Sequence, residues 1–295
     1  MRITLPVLLL TITTACESQS VRPADLPLGT FAYDRTAPID LTSTPAGRRP
    51  TGQMFQVRFA SPRGGPASGY LFVPEGPGPF AGIVVQHGMP SRALDMAPLA
   101  WDLVERGAVV ISIDAPWARR QGEVLTWTEA DSADQVQLIT DLQRAVDILL
   151  QRPEVDSARL AYVGVSYGGA MGSLFAGVER RLATYVLRVA DGGLVAHFTG
   201  AEDPPAPPGL AREQWDRWLA AMRPIEPIRF IGNANAPVYF QSGELDRLVP
   251  PADARQLHSA AAEPKKVSWY SAGHGLNPAA QEDMFSWLGE KVGLK

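Results

Sequence analysis

The arrangement in this sequence best suited to chemistry is a serine between two glycines, Gly164-Val165-Ser166-Tyr167-Gly168. A strand-like apolar run, Leu160–Val165, leads into it, and a helix-forming segment, Ala170–Val178, follows. A G-x-S-x-G pattern between a strand and a helix is typical of a sharp turn that projects a nucleophilic serine clear of a sheet. The two glycines leave room for the strained backbone of such a turn. The spacing therefore predicts that Ser166 is a nucleophile.

A serine hydroxyl needs a base within hydrogen-bond reach, and only four histidines could supply one. His87 ends a strand upstream, His197 lies in an irregular insertion, and His258 falls in a helical segment where a surface side chain is expected. His274 stands between two glycines in the loop that follows the last predicted strand. We therefore expect His274 to be the base.

The acid that orients this base is expected on a loop after a strand, between the serine and the histidine in chain order. The segment Ser242–Pro250 lies there and carries two carboxylates. Asp246 is the predicted acid, and Glu244 is expected to face solvent. Two alternatives stay open: Asp191, which follows another strand, could be the acid, and Asp246 could instead cap the turn at Pro250.

Acyl transfer also needs two backbone N–H groups aimed at the negative charge that develops on the substrate oxygen. The N–H of Tyr167, which follows the predicted nucleophile, is the first candidate. The second should come from the loop Gln86–Pro90, after the third predicted strand. Because Pro90 has no N–H, Met89 is the predicted donor.

Four further side chains are candidates for the wall of the site. His87 is expected to stabilise the loop before Met89 and to lie near the substrate. Trp117, after the fourth predicted strand, and Trp215 and Trp218, in the insertion, are explained equally well by contact with substrate or by packing.

Residues 1–16 have the pattern of a signal peptide, with an apolar run, Leu5–Ile12, that is too short to span a bilayer. The segment Thr13–Cys16 resembles the lipobox of bacterial lipoproteins, although threonine stands where that motif usually has leucine. An ordinary secretory signal is the alternative. Both predict export, to the cell envelope, the periplasm or the medium. Cys16 is the single cysteine of the chain and the predicted lipidation site, through which the protein would attach to a membrane.

The composition is that of a globular protein, with 45% hydrophobic and 20% charged residues in a chain of 295. The formal net charge is −4, and no basic cluster exceeds the pairs Arg119-Arg120 and Lys265-Lys266. Nucleic acid is therefore not an expected partner. No metal or cofactor is expected, and the sequence does not indicate an oligomeric state.

Strand and helix patterns alternate along most of the chain. Residues 17–50, rich in Pro, Thr, Ser and charge, are predicted to be a tether or irregular arm, and residues 51–295 the catalytic domain. Apolar strands separated by helices indicate an α/β fold whose mainly parallel sheet is covered on both faces. The insertion at 192–227 is predicted to form a small cap over the site.

The order Ser166, Asp246, His274 resembles that of the α/β-hydrolase superfamily. The motifs G-V-S-Y-G-G, G-E-L-D-R-L-V-P-P and G-H-G are most similar to its dienelactone-hydrolase-like esterase and prolyl-oligopeptidase-like branches, over residues 50–295. The resemblance implies an eight-stranded, mostly parallel sheet and hydrolysis through an acyl-enzyme. Dienelactone hydrolase itself has a cysteine where this chain has Ser166, so its own substrate is not carried over.

The expected activity is hydrolysis of carboxylic esters of small to medium substrates. A serine peptidase of the acylaminoacyl type is one alternative, because it would use the same three side chains. A hydrolase-fold binding protein that has lost activity is another, although such a protein would be expected to lack one of the three.

Overall fold

The computed structural model describes residues 26–120 and 122–295. The predicted signal segment 1–16, its Cys16, and the first part of the predicted arm lie outside the described residues.

The described strands form one sheet in the order β1-β2-β3-β5-β4-β6-β7-β8-β9. They are β1 Thr42–Arg49, β2 Gly52–Ala60, β3 Pro66–Pro74, β4 Phe80–Gln86, β5 Ala108–Ile113, β6 Val155–Val165, β7 Thr184–Arg188, β8 Val238–Gly243 and β9 Lys265–Tyr270. The first three strands run antiparallel to their neighbours, and β3 pairs antiparallel with β5. From β5 to β9 every pairing is parallel, so the carboxyl ends of these strands meet at one edge of the sheet.

Helices connect the parallel strands. They are α1 Ala97–Glu105, α2 Pro116–Arg119, α3 Glu129–Leu150, α4 Tyr167–Val178, α5 Leu194–Thr199, α6 Arg212–Met222, α7 Pro251–Ala260 and α8 Pro278–Val292. No helix in the described part of the chain combines the length and the apolar character needed to cross a bilayer.

The sheet is buried on both faces, and β4 shows how. Val84 packs into one apolar cluster, which includes Leu142 of α3 and Phe175 of α4. Its neighbour Ile83 points to the other face and joins a second cluster, which includes Trp101 of α1. Successive side chains of a strand alternate between faces, so a strand covered on both sides is apolar throughout.

The described sheet has nine strands, one more than the eight expected, and the additional strand lies in the segment predicted to be an irregular arm. Residues Thr42–Arg49 pair with β2 as an antiparallel edge strand. Every residue of β1 is exposed. Because this strand is held by backbone hydrogen bonds and buries no side chain, its sequence has no apolar alternation to indicate a strand. The boundary drawn at residue 50 therefore divides a hairpin.

The insertion at 192–227 folds as α5, α6 and short 3₁₀ turns beside the carboxyl edge of the sheet. Trp215 and Trp218 of α6 are fully buried and stack with ring centroids 4.9 Å apart. Trp127 packs against Trp218 at 5.0 Å, and the Trp218 indole donates a hydrogen bond to Asp131 of α3. The two tryptophans of α6 therefore anchor the insertion to the domain by packing and do not form a substrate wall.

Candidate active site

Ser166 occupies the turn between β6 and α4, and its backbone is strained. Its φ of 55° and ψ of −119° lie in a region that L-residues rarely adopt. A Cβ on Gly164 would come within 2.2 Å of the Gly168 carbonyl oxygen, and a Cβ on Gly168 within 2.3 Å of the Gln86 oxygen. Only glycine fits at either position, which is the steric requirement expected from the motif.

Three side chains form a continuous hydrogen-bonded chain at the carboxyl edge of the sheet. The His274 Nε2 lies 2.8 Å from the Ser166 Oγ, and its Nδ1 lies 2.8 Å from Asp246 Oδ2. The other carboxylate oxygen of Asp246 accepts the N–H groups of Leu248 and Val249, at 2.9 and 3.0 Å. The carboxylate is thereby fixed, and it holds the His274 proton on Nδ1, which leaves the Nε2 lone pair for the serine hydroxyl.

Neither Glu244 nor the alternative acid Asp191 forms a hydrogen bond or ion pair with His274, whose carboxylate partner is Asp246. Glu244 is exposed, as the sequence predicts. Asp191 is buried and contacts a different imidazole, that of His197, whose Nδ1 lies 2.6 Å from Asp191 Oδ2. This second histidine–aspartate pair is not indicated by any sequence motif.

His258 is not the surface side chain expected from its helical segment. It is 6% exposed and packs between the rings of Phe240 and Trp269. Its Nε2 lies 3.3 Å from the Ser242 Oγ. Burial, together with the nearby positive charges of Lys265 and Arg255, lowers the pKa of His258 to about 4.

The loop after β4 crosses directly over the serine. A Cβ on Gly88 would lie only 3.1 Å from the Ser166 Cβ. The loop can approach the nucleophile this closely because Gly88 has no side chain. The N–H groups of Met89 and Tyr167 form no hydrogen bond to any other described residue. Both predicted oxyanion donors are therefore available beside the hydroxyl.

His87 ties this loop to the one after β5. Its Nδ1 donates to the Gly88 carbonyl at 2.7 Å, and its Nε2 accepts the Ala115 N–H at 3.1 Å. The side chain is fully buried, and burial lowers its pKa, which favours the neutral imidazole that can accept this bond. The contacts match the loop-stabilising role expected of His87, and its burial leaves no surface for substrate.

Trp117 packs edge-on between His87 and Tyr167, with ring centroids 5.5 and 5.9 Å away. It is 6% exposed. Its indole therefore packs mainly against the ring that follows Ser166 in the chain, and little of it is left for a substrate to contact.

Two cavities lie beside the loops that carry the side chains of the site. A small one of about 10 Å³ is lined by Met89 and Tyr167, together with Trp117 and Phe198. A large one of about 750 Å³ lies between the cap insertion and the loop that carries Asp246. Within residues 26–120 and 122–295, no group of three or more His, Cys, Asp or Glu side chains is placed to hold a metal ion.

The strand order, the strained turn after a parallel strand and the three joined side chains define an α/β hydrolase. The chain belongs to the dienelactone hydrolase family, whose model matches residues 68–286.

Curated relatives match a shorter stretch of the chain. "Esterase FrsA" of Shigella boydii serotype 18 is 29% identical over 124 residues, which is 42% of this chain and 28% of the relative. The chain thus spans about a quarter of the length of the curated relatives that it matches.

Solved structures show the same fold. The acetyl xylan esterase from Paenibacillus sp. R4 superposes with a TM-score of 0.72 at 20% identity, covering 86% of this chain and 90% of that one. The acetyl xylan esterase 1 of Thermoanaerobacterium sp. JW/SL YS485 gives 0.71 at 15% identity, covering 89% and 91%.

Proposed function

We propose that this protein hydrolyses carboxylic esters through an acyl-enzyme formed on Ser166. The observation that carries the proposal is the unbroken Ser166–His274–Asp246 chain, with both imidazole nitrogens 2.8 Å from their partners. A serine hydroxyl becomes nucleophilic when an oriented imidazole accepts its proton.

The reaction follows from this geometry. Ser166 Oγ attacks the ester carbonyl while its proton passes to His274 Nε2, and the Met89 and Tyr167 N–H groups stabilise the oxyanion. The imidazolium, held by Asp246, returns that proton to the departing alcohol. Water then enters and gives a proton to His274 while its oxygen attacks the acyl carbon. The bond from that carbon to Ser166 Oγ breaks, His274 returns the proton to Oγ, and the acid is released.

We expect esters of short acyl groups to react fastest, because little space is open beside the two oxyanion donors. The cavity lined by Met89 and Tyr167, together with Trp117 and Phe198, has a volume of only about 10 Å³.

The test compares p-nitrophenyl acetate, butyrate and octanoate with an amide, alanine p-nitroanilide. We expect hydrolysis of the acetate to be fastest and that of the amide to be slowest. Ser166→Ala should abolish turnover and labelling by a fluorophosphonate probe. The matched control is Ser286→Ala, at an exposed serine of α8, which should retain both.

Three outcomes would contradict the proposal. Hydrolysis that survives Ser166→Ala would remove Ser166 from the reaction. Faster cleavage of the amide than of the acetate would favour a peptidase, and a folded protein that neither labels nor turns over would favour a binding role.

We further propose that the protein is exported and lipidated at Cys16, on the strength of the signal-like segment 1–16. Radiolabelled palmitate should enter the full chain and be lost in Cys16→Ser. Export without labelling would indicate an ordinary secretory signal instead.

A further inference from the structure

The small cavity beside the oxyanion donors has polar side chains in its wall. Besides Met89 and Tyr167, the wall includes Trp117 of α2 and Gln135 of α3. Polar atoms that face the interior of a protein normally have hydrogen-bond partners there. The partners of these side chains therefore show whether the cavity is merely a packing defect.

Three polar atoms of this wall have no hydrogen-bond partner among the described residues. They are the Trp117 Nε1, the Tyr167 hydroxyl and the Gln135 Oε1. Their residues are only 3 to 6% exposed. The Trp117 Nε1 lies near the Tyr167 hydroxyl without the geometry of a hydrogen bond. Because a buried polar group without a partner is destabilising, three of them around one cavity indicate a ligand group that pairs with them.

The amide of Gln135 is oriented by Met222 of α6. Its Nε2 donates to the Met222 Sδ at 3.3 Å. A thioether sulfur accepts a hydrogen bond but cannot donate one, so the amide nitrogen belongs on that side. The Oε1 is therefore the atom of Gln135 that remains to accept a hydrogen bond from a ligand.

Two carboxylates on the same wall already have partners. Asp131 accepts hydrogen bonds from the Thr126 N–H and from the Trp218 indole. Asp134 pairs with Arg120. Two negative charges and one positive charge thus lie beside the cavity, which disfavours an acyl group that carries a carboxylate of its own.

The three unpaired atoms differ in kind, and this difference selects the ligand group. The Trp117 N–H can only donate, the Gln135 Oε1 can only accept, and the Tyr167 hydroxyl can do both. Burial raises the pKa of Tyr167, so its hydroxyl keeps the proton. A carbonyl oxygen on the ligand would leave Gln135 unmatched, and an ammonium would leave Trp117 unmatched. A hydroxyl group both donates and accepts, so it can pair with either.

The cavity also adjoins the position of the reacting carbonyl. Met89 and Tyr167, whose N–H groups are the predicted oxyanion donors, both line it. A substituent on the acyl carbon next to that carbonyl can therefore reach the cavity. The volume of about 10 Å³ is close to the least that holds one water-sized group, so the substituent must be as small as a hydroxyl.

We propose that the small cavity is a subsite for a hydroxyl group on the acyl part of the substrate, and that the protein prefers esters of short 2-hydroxy acids. Gln135 and the Tyr167 hydroxyl are the groups that determine this specificity, and Trp117 supplies a further donor. The assignment rests on the ester hydrolysis proposed above.

The experiment compares ethyl glycolate with ethyl propionate, in which a methyl group replaces the hydroxyl. Each kcat/KM, measured by titration of the released acid, is divided by the rate constant for hydrolysis of the same ester by hydroxide. This division corrects for the unequal intrinsic reactivity of the two esters. We expect the corrected ratio to favour glycolate by about tenfold or more in the wild type.

Two variants remove the proposed contacts one at a time. Gln135→Met removes the acceptor and Tyr167→Phe the hydroxyl, and each should reduce the corrected ratio about fivefold. The matched control is Gln143→Met, on the same helix. The Gln143 Oε1 is also buried without a partner among the described residues, but Gln143 does not line the cavity. This control should keep the wild-type ratio.

The ratio separates specificity from folding, because a loss of folded protein lowers both rates alike. A wild-type ratio near one would overturn the proposal, as would a ratio that Gln135→Met leaves unchanged. A corrected rate for ethyl glycinate above that for ethyl glycolate would assign the cavity to an ammonium group instead. Hydrolysis that persists in Ser166→Ala would contradict the reaction on Ser166, whereas a ratio near one with hydrolysis lost in Ser166→Ala would contradict only the hydroxyl subsite.

Discussion

Two histidine–aspartate pairs stand at the carboxyl edge of this sheet, and only one of them faces a nucleophile. In both, an imidazole Nδ1 contacts a buried carboxylate, at 2.8 Å for His274–Asp246 and 2.6 Å for His197–Asp191. Opposite His274 stands the Ser166 hydroxyl, whereas opposite His197 is open cavity. An oriented imidazole thus becomes a catalytic base only where the fold brings a reactive hydroxyl to its other nitrogen.

The pairs also differ in how they are assembled. Asp191 and His197 are six positions apart, so a strand end and the next helix bring them together. His274 and Ser166 are 108 positions apart and meet only because β6 and β9 end at the same edge of the sheet. The comparison predicts that equivalent substitutions in the two pairs have very unequal effects.

The largest contrast should come from the imidazoles themselves. His274→Gln should lower kcat/KM for p-nitrophenyl acetate by about 10⁴-fold or more, because Ser166 loses its base. His197→Gln should lower it by no more than about tenfold. Steady-state kinetics on both variants tests this, with circular dichroism to check folding. Comparable losses in the two would mean that the second pair takes part in the chemistry.

Substitutions of the two aspartates should also have unequal effects on kcat, with a slightly smaller difference than for the two histidines. Asp246→Asn should cost about 10³- to 10⁴-fold in kcat, because an amide no longer fixes the proton on Nδ1 or stabilises the imidazolium. Asp191→Asn should cost less than about tenfold. A rate for Asp246→Asn within tenfold of wild type would show that His274 needs no acid in this position.

The strained turn at Ser166 lies beside the first histidine–aspartate pair. Substitution of a glycine in this turn should therefore have the next largest effect on activity. In Gly168→Ala the new Cβ would sit 2.3 Å from the Gln86 oxygen, which forces the elbow to shift. A displacement of about 1 Å at the nucleophile should cost on the order of 100-fold in kcat/KM. Gly29→Ala, which meets no atom within 4 Å, is the matched control and should keep full activity. Full activity in Gly168→Ala would show that the elbow tolerates a side chain.

A histidine without a carboxylate partner should affect stability instead. The folded-state pKa of His258 is about 4, below its ordinary value of 6.5, so the unfolded chain binds the extra proton between these values. Stability contributed by neutral His258 is therefore complete above pH 6.5 and falls as the pH drops towards 4, by about 2 to 3 kcal/mol. Urea titrations of the wild type and His258→Gln across this range test the sign, since the variant should lose less. Identical slopes would exclude His258 as the titrating group.

Most of the parallel sheet could be predicted because its strands carry continuous apolar runs. β6 ends at Val165 as predicted, whereas it begins at Val155, five residues earlier than expected. Its first residues are only partly buried and lack the apolar signal. The sequence of β1 has no apolar alternation that would predict a strand, since all its side chains are exposed and only backbone pairing holds it.

The residues of the candidate site likewise include some that the sequence predicts and some contacts that it does not. Ser166, Asp246 and His274 were each predicted from local context, a turn between glycines or a loop after a strand, and the structure brings the three together. The burial of His258 was not predicted, because helical periodicity does not specify what packs against a face. The contact between His197 and Asp191 was missed because the insertion has no motif that pairs them.

The sequence by itself determined the strand–turn–helix around Ser166, because steric room at Gly164 and Gly168 is a property of a few consecutive residues. Tertiary structure alone decided which imidazole meets the hydroxyl and which faces a cavity. That choice depends on the order of strands in the sheet and on the packing of the insertion, and both are set by contacts between residues far apart in the chain.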